Sequence, residues 1–174
     1  MRHHKFHWKK HHKWAAVATV FSALATTGVA VPVTNHYATS PSTCHIRGVL
    51  PDSTCTPGVA DPNVTQSNLS STICMPGYTK TVRPPVSVTA PEKIQSIKDY
   101  GYADTNTADY EYDHLISLEL GGAPNDTRNL WAEPGASPNA KDSVENMLHK
   151  EVCNGTITLL QAQQEISQDW TTAK

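Results

Sequence analysis

Between residues 110 and 154 the chain changes its hydrophobic pattern once, and that change narrows the folds open to it. Residues 110–122, YEYDHLISLELGG, read as a strand entering a turn, with Leu115, Ile116, Leu118 and Leu120 as its apolar members. Gly121-Gly122 and Asn125-Asp126 supply turn residues, and Asn129-Leu130-Trp131 reads as a return strand. Together they describe a β-hairpin. A helix follows, with Ser137 as its expected N-cap and Pro138 at its first position. Ala140, Val144, Leu148 and Val152 recur every four residues and share one stripe. The helix stops at Asn154-Gly155. A last helix starts at Thr158, whose hydroxyl and Gln161 make a capping-box pattern. Leu159, Ala162, Ile166 and Trp170 form its apolar side.

The segments before residue 110 are less regular. Residues 34–56 are rich in Thr, Ser and Pro and read as a linker. Residues 57–90 hold the turn dipeptides Pro57-Gly58, Asp61-Pro62 and Pro76-Gly77, with short β-prone runs at 78–82 and 86–88. They read as a loop-rich, extended region. A short helix is expected from Thr89 as cap, through Pro91, Ile94 and Ile97, ending at Gly101. The core domain is therefore taken as residues 91–174. Charged residues are 17% and hydrophobic residues 38% of the chain, which predicts a small core with much irregular structure.

Residues 1–33 carry a targeting pattern. The first 13 hold five Lys/Arg, five His and no acid, and residues 14–33 carry no charge. A basic head before an apolar run reads as a secretory signal peptide, with Gly28-Val29-Ala30 as small residues at the cleavage point. Left uncut, the same run is long enough to serve as a membrane anchor. Either reading places the body of the protein outside the cytoplasm, secreted or held at the membrane by this segment alone. Without residues 1–30, nine basic residues face sixteen acidic ones, a net of −7. Such a body does not bind nucleic acid through broad phosphate neutralisation. A local patch of Lys80, Arg83, Lys93, Lys98, Arg128 and Lys141 remains open to it.

All four cysteines lie in the exported part. Four cysteines in an oxidising compartment favour two disulfides. The preferred pairing is Cys55 with Cys74 and Cys44 with Cys153, although spacing alone leaves all three pairings open.

The chemistry concentrates on Tyr112-Asp113-His114-Leu115-Ile116, Gly121-Gly122, Asn129-Leu130-Trp131 and the helix from about Pro138. This DHLxxLELGG…NLW arrangement resembles the HNH, or ββα-metal, endonuclease family, including secreted bacterial proteins classed with it. The resemblance covers about forty residues. It implies an α+β fold, an HNH-like hairpin plus helix, here with an extra C-terminal helix and a disulfide-braced, loop-rich N-terminal extension. It also implies metal-dependent hydrolysis of nucleic-acid phosphodiester bonds, with DNA and RNA both open. Such a reaction needs an activated water and a cation on the leaving oxygen. His114 would take the proton from water. Asn129 would hold the His114 ring or steady the turn. Asp113 would ligate a divalent ion (Mg²⁺, Mn²⁺, Ni²⁺ or Zn²⁺). The helix would supply further ligands, with Asn139 and Asp142 first and His149 next. Asn139, Asp142, Asn146 and His149 fall on one helix face, roughly opposite the apolar stripe.

Plainer readings exist for each residue. Asn129 is also a turn cap. Lys141, Asp142 and Glu145 are also a solvated helix face with ordinary ion pairs. A non-enzymatic cell-envelope module on the same scaffold is the competing function. No protein partner is evident in the sequence.

Overall fold

The computed structural model describes residues 44–174. The expected targeting segment 1–33 and the first part of the expected linker lie outside the described residues. Among those described, no helix is long and apolar enough to cross a membrane.

The centre is a two-stranded antiparallel hairpin, β1 (Tyr110–His114) and β2 (Leu130–Pro134). Its register pairs Glu111 with Glu133, Asp113 with Trp131 and His114 with Leu130. Side chains alternate along a strand and paired residues share a side. Glu111, Asp113 and Glu133 therefore lie on one face. The strand ends sooner than its sequence suggests. Leu115, Ile116, Leu118 and Leu120 are all buried, at 4% exposure or less. Two adjacent buried residues do not fit a ladder with one wet face, so the chain leaves the ladder and coils through a 3-10 turn at Leu118–Leu120.

Helix α3 (Ala140–Asn154) and helix α4 (Leu159–Asp169) follow the hairpin. Leu148 and Val152 of α3 and Leu159, Ala162 and Ile166 of α4 close the main core over Leu115, Ile116 and Leu120. The Thr158–Gln161 capping box that starts α4 is present. The N-terminus of α3 differs from expectation. Asn139, not Ser137, is its N-cap: the Asn139 side chain accepts from the Lys141 N–H and the Asp142 carboxylate accepts from the Asn139 N–H. The reciprocal Asn/Asp pair satisfies two otherwise orphaned donors. Ala140, expected on the apolar stripe, is exposed as a result of lying at the first turn.

Residues 57–90 are more helical than their composition suggests. The β-prone run 78–82 forms helix α1 (Tyr78–Val82), and 86–88 opens helix α2 (Val86–Asp99). These runs pair with neither strand of the hairpin, and strand propensity without a partner counts for little. The α2 helix starts at Val86, directly after Pro84-Pro85, and carries Pro91 inside it. Thr89 is thus an interior residue and not the cap. Helix α2 packs on β2, where the Ser96 hydroxyl accepts a 2.9 Å bond from the Ala132 N–H.

The disulfide pairing corrects the expectation. The bonds are Cys44–Cys55 and Cys74–Cys153. The first fastens a short local loop beside Tyr100 and Trp131. The second spans 79 positions and ties the segment before α1 to the end of α3. In the chain-entropy account a loop of that length is worth about 4–5 kcal/mol. Residues 58–61 brace the hairpin turn through backbone bonds from Gly58 to Arg128, Asp61 to Gly121 and Ala123 to Val59.

Candidate functional site

Asn129 precedes β2 and is fully buried. Its amide Oδ1 accepts from the Ile116 N–H at 2.9 Å and the Val59 N–H at 3.3 Å. Its Nδ2 donates to the Ile116 and Ala123 carbonyls at 3.0 and 3.1 Å. Both ends of the amide are used by backbone. Of its two expected roles, Asn129 performs the second: it steadies the turn, and its hydrogen bonds do not go to the His114 ring.

His114 closes β1 and is 5% exposed. Its Nε2 lies 2.9 Å from the Pro124 carbonyl oxygen. A carbonyl only accepts, so Nε2 carries the proton and the Nδ1 lone pair is the basic position. Burial holds the imidazole pKa below its ordinary value, opposed by the Pro124 bond and Asp113 and assisted by the nearby charges of Arg83 and Lys141. The ring is therefore neutral with a defined tautomer.

The side of the hairpin that carries Asp113 holds a cluster that the residue pattern did not disclose. Lys141, expected on a solvated face, is 1% exposed. Its ammonium lies 2.8 Å from Asp113 Oδ2, contacts the Glu145 carboxylate and donates to the His114 carbonyl at 2.8 Å. Burial alone would depress the lysine pKa, but Asp113 and Glu145 outweigh it and the net direction is upward. The acids are raised as well, which for them favours the uncharged form. Burial, with Asp113 beside it, pushes Glu133 up to about 8. Burial pushes Glu145 up to about 7 against the pull of Lys141. Glu111 is raised by burial and by Asp113. Asn139 Nδ2 lies 3.2 Å from Glu111 Oε2 and 3.5 Å from Glu133 Oε2, joining α3 to both strands. One buried ammonium and several carboxylates thus share a single polar layer between hairpin and helix.

The metal ligands expected from the sequence do not assemble. Asn139 and Asp142 serve the helix cap. Asp113 faces Lys141. Asn146 is exposed and donates to the Asp142 carbonyl. His149 looks elsewhere: its Nε2 donates to the Ile73 carbonyl at 2.9 Å, and its Nδ1 lies 3.8 Å from Glu119 Oε2. Among the described residues, the group of three or more Cys, His, Asp and Glu with ligand atoms all within 4.8 Å of one another is Cys74, His149 and Cys153. The basic patch also thins. Lys141 is internal, Arg128 pairs with Asp126 at 2.6 Å and Lys93 donates to the Tyr110 carbonyl. Lys80, Arg83 and Lys98 remain exposed.

The raised acids make stability depend on pH. A carboxyl whose folded pKa lies above its unfolded one contributes stability below the unfolded value and loses it as pH rises through the folded value. Glu133 and Glu145 therefore weaken the fold between about pH 4.5 and 8. His114, with a depressed pKa, acts in the opposite sense, but only below its ordinary value of 6.5. Between pH 6.5 and 9 the acids act without that opposition. Unfolding free energy should fall across this window by on the order of 1–2 kcal/mol. Denaturant melts at the two pH values check it, and Glu133→Gln should flatten the slope.

Compared with protein-family models, curated proteins and solved structures, the chain matches none of them.

Proposed function

We propose that this protein is an exported nuclease that hydrolyses phosphodiester bonds of nucleic acid, with His114 as general base. The observation that carries the reading is the His114 ring at the end of β1, in a hairpin followed by a helix. It is neutral, its tautomer is set by the Pro124 carbonyl, and its Nδ1 is left to accept a proton from water. Asn129 fixes the turn on which that carbonyl sits, through its bonds to Ile116 and Ala123. Arg83 is exposed and close enough to affect the His114 pKa, so it is the cation on hand for a substrate phosphate. The divalent ion implied by the family resemblance does not fit Asp113, Asn139, Asp142 and His149 as they stand, because capping, Lys141 and Ile73 already occupy them. No step is therefore routed through it.

One observation favours the second reading, a non-enzymatic envelope module. The Lys141 ammonium already meets the Asp113 carboxylate. A scaffold whose acidic face is filled by its own cation has no need of an ion or a substrate there. Plasmid DNA and RNA cleavage, with EDTA or with added Mg²⁺, Mn²⁺, Ni²⁺ or Zn²⁺, separates the two. The nuclease reading expects cutting that His114→Ala reduces by about 10²–10⁴-fold at unchanged fold, as loss of a general base does, and that Arg83→Ala weakens. No cutting in any arm, by a folded protein, leaves the module.

A further inference from the structure

We propose that Cys74, Cys153 and His149 form a binding site for a zinc-class cation that the Cys74–Cys153 disulfide keeps closed and that thiol reduction opens. The inference is independent of the nuclease reading and uses neither His114, Asn129 nor Arg83.

His149 and Cys153 are four positions apart on α3, one turn on the same face. Cys74 comes from the segment before α1, and its Cα is 5.7 Å from that of Cys153. The three ligand atoms lie within 4.8 Å of one another. His149 is already oriented as metal-ligating histidines are. Its Nε2–H is held by the Ile73 carbonyl at 2.9 Å, which fixes the tautomer and leaves Nδ1 as the donor atom. Glu119 Oε2, 3.8 Å from Nδ1, supplies an oxygen for the fourth position, directly or through water. Two thiolates, an imidazole and one oxygen suit a tetrahedral ion that tolerates soft ligands, which is the zinc class and not the magnesium class. A cleft of about 270 Å³ lined by Ile73, Cys74, Tyr78, Glu119 and His149 leads to the group.

The disulfide is what withholds the site, since bonded sulfurs are not thiolates. A dithiol reductant would give two electrons and two protons to the Cys74–Cys153 bond. It would become a disulfide itself and leave two thiols. The cation then displaces both thiol protons as it binds. Neither Cys74 nor Cys153 is buried, so the bond is open to exchange. Cys44 of the other bond is 5% exposed, and that pair is not in the ligand group.

The test uses the full chain and Co²⁺ as the probe. The five histidines of residues 1–13 will also take Co²⁺, but they cannot give thiolate-to-cobalt charge transfer in the near ultraviolet. The oxidised protein should show no such band. After phosphine reduction the band should saturate at one thiolate-bound Co²⁺ per chain, with tetrahedral visible bands, and Zn²⁺ should displace it. Cys44→Ser with Cys55→Ser should keep it, whereas His149→Ala should weaken the site at least ~10-fold. A reduced protein without the band overturns the proposal, and so does a band indifferent to His149→Ala. If reduction melts the fold, Co²⁺ must restore the helical circular dichroism together with the band. A band without that recovery reports an unfolded chain and also overturns it.

Discussion

Lys141→Ala should destabilise the fold by about 3–5 kcal/mol, the usual cost of removing one partner from a buried ion pair. The lysine is 1% exposed and is the counter-ion of both Asp113 and Glu145. Without it two half-buried carboxylates face Glu133 and Glu111 with no cation among them. Their remaining escape is to bind protons. The loss should therefore be smaller at pH 5 than at pH 8, and a pair of chemical melts at those values would show it. A triple variant, Lys141→Met with Asp113→Asn and Glu145→Gln, should recover most of the stability. A buried ion network often exchanges for uncharged groups at little cost once the paired charges leave together. A loss from Lys141→Ala of less than 1 kcal/mol would mean that water reaches the layer and that the charges are screened.

Gly122→Ala should cost about 3 kcal/mol or more, well above an ordinary overpacking penalty. A Cβ at this position would stand 1.7 Å from the Ile116 carbonyl oxygen and 2.8 Å from Asn129 Nδ2. The oxygen belongs to backbone, so no rotamer relieves the clash. Moving it also breaks the bond that Asn129 makes to that carbonyl. The neighbouring Gly121 is needed for a different reason. Its φ is +70°, and a Cβ there would press on Val64. Thermal melting should show a larger loss for Gly122→Ala than for Gly155→Ala, where a Cβ meets nothing within 4 Å and only the φ of +78° opposes alanine.

These two positions differ in how far the residues announce them. The Gly-Gly pair, Asn129 and the hairpin around them stand out in the sequence because turn chemistry is local. The Thr158–Gln161 cap of α4 is local too. Lys141 is not. With Glu145 four residues later it has the look of a surface helix pair, and only the approach of Asp113 from another element turns it inward. Glu133 is equally silent, since the residues do not show that Asp113, Glu111 and Asn139 gather around its carboxylate. Asn139 and Asp142 were visible as polar residues at the start of a helix, but the same placement that suggested ligands also makes a cap. The disulfide pairing depended on where α3 ends relative to residue 74, a distance that no spacing of cysteines encodes.

The Cys74–Cys153 bond has a topological effect apart from its entropy. Both strands, α1, α2, Asn129 and the Lys141 layer all lie between its two cysteines in the chain, so they occupy one covalent ring. A protease that cuts a loop inside that ring opens it without freeing a fragment. The nicked protein keeps every piece of the hairpin at the high effective concentration of a tether. For a protein proposed to be exported, damage of that kind need not mean loss of the fold.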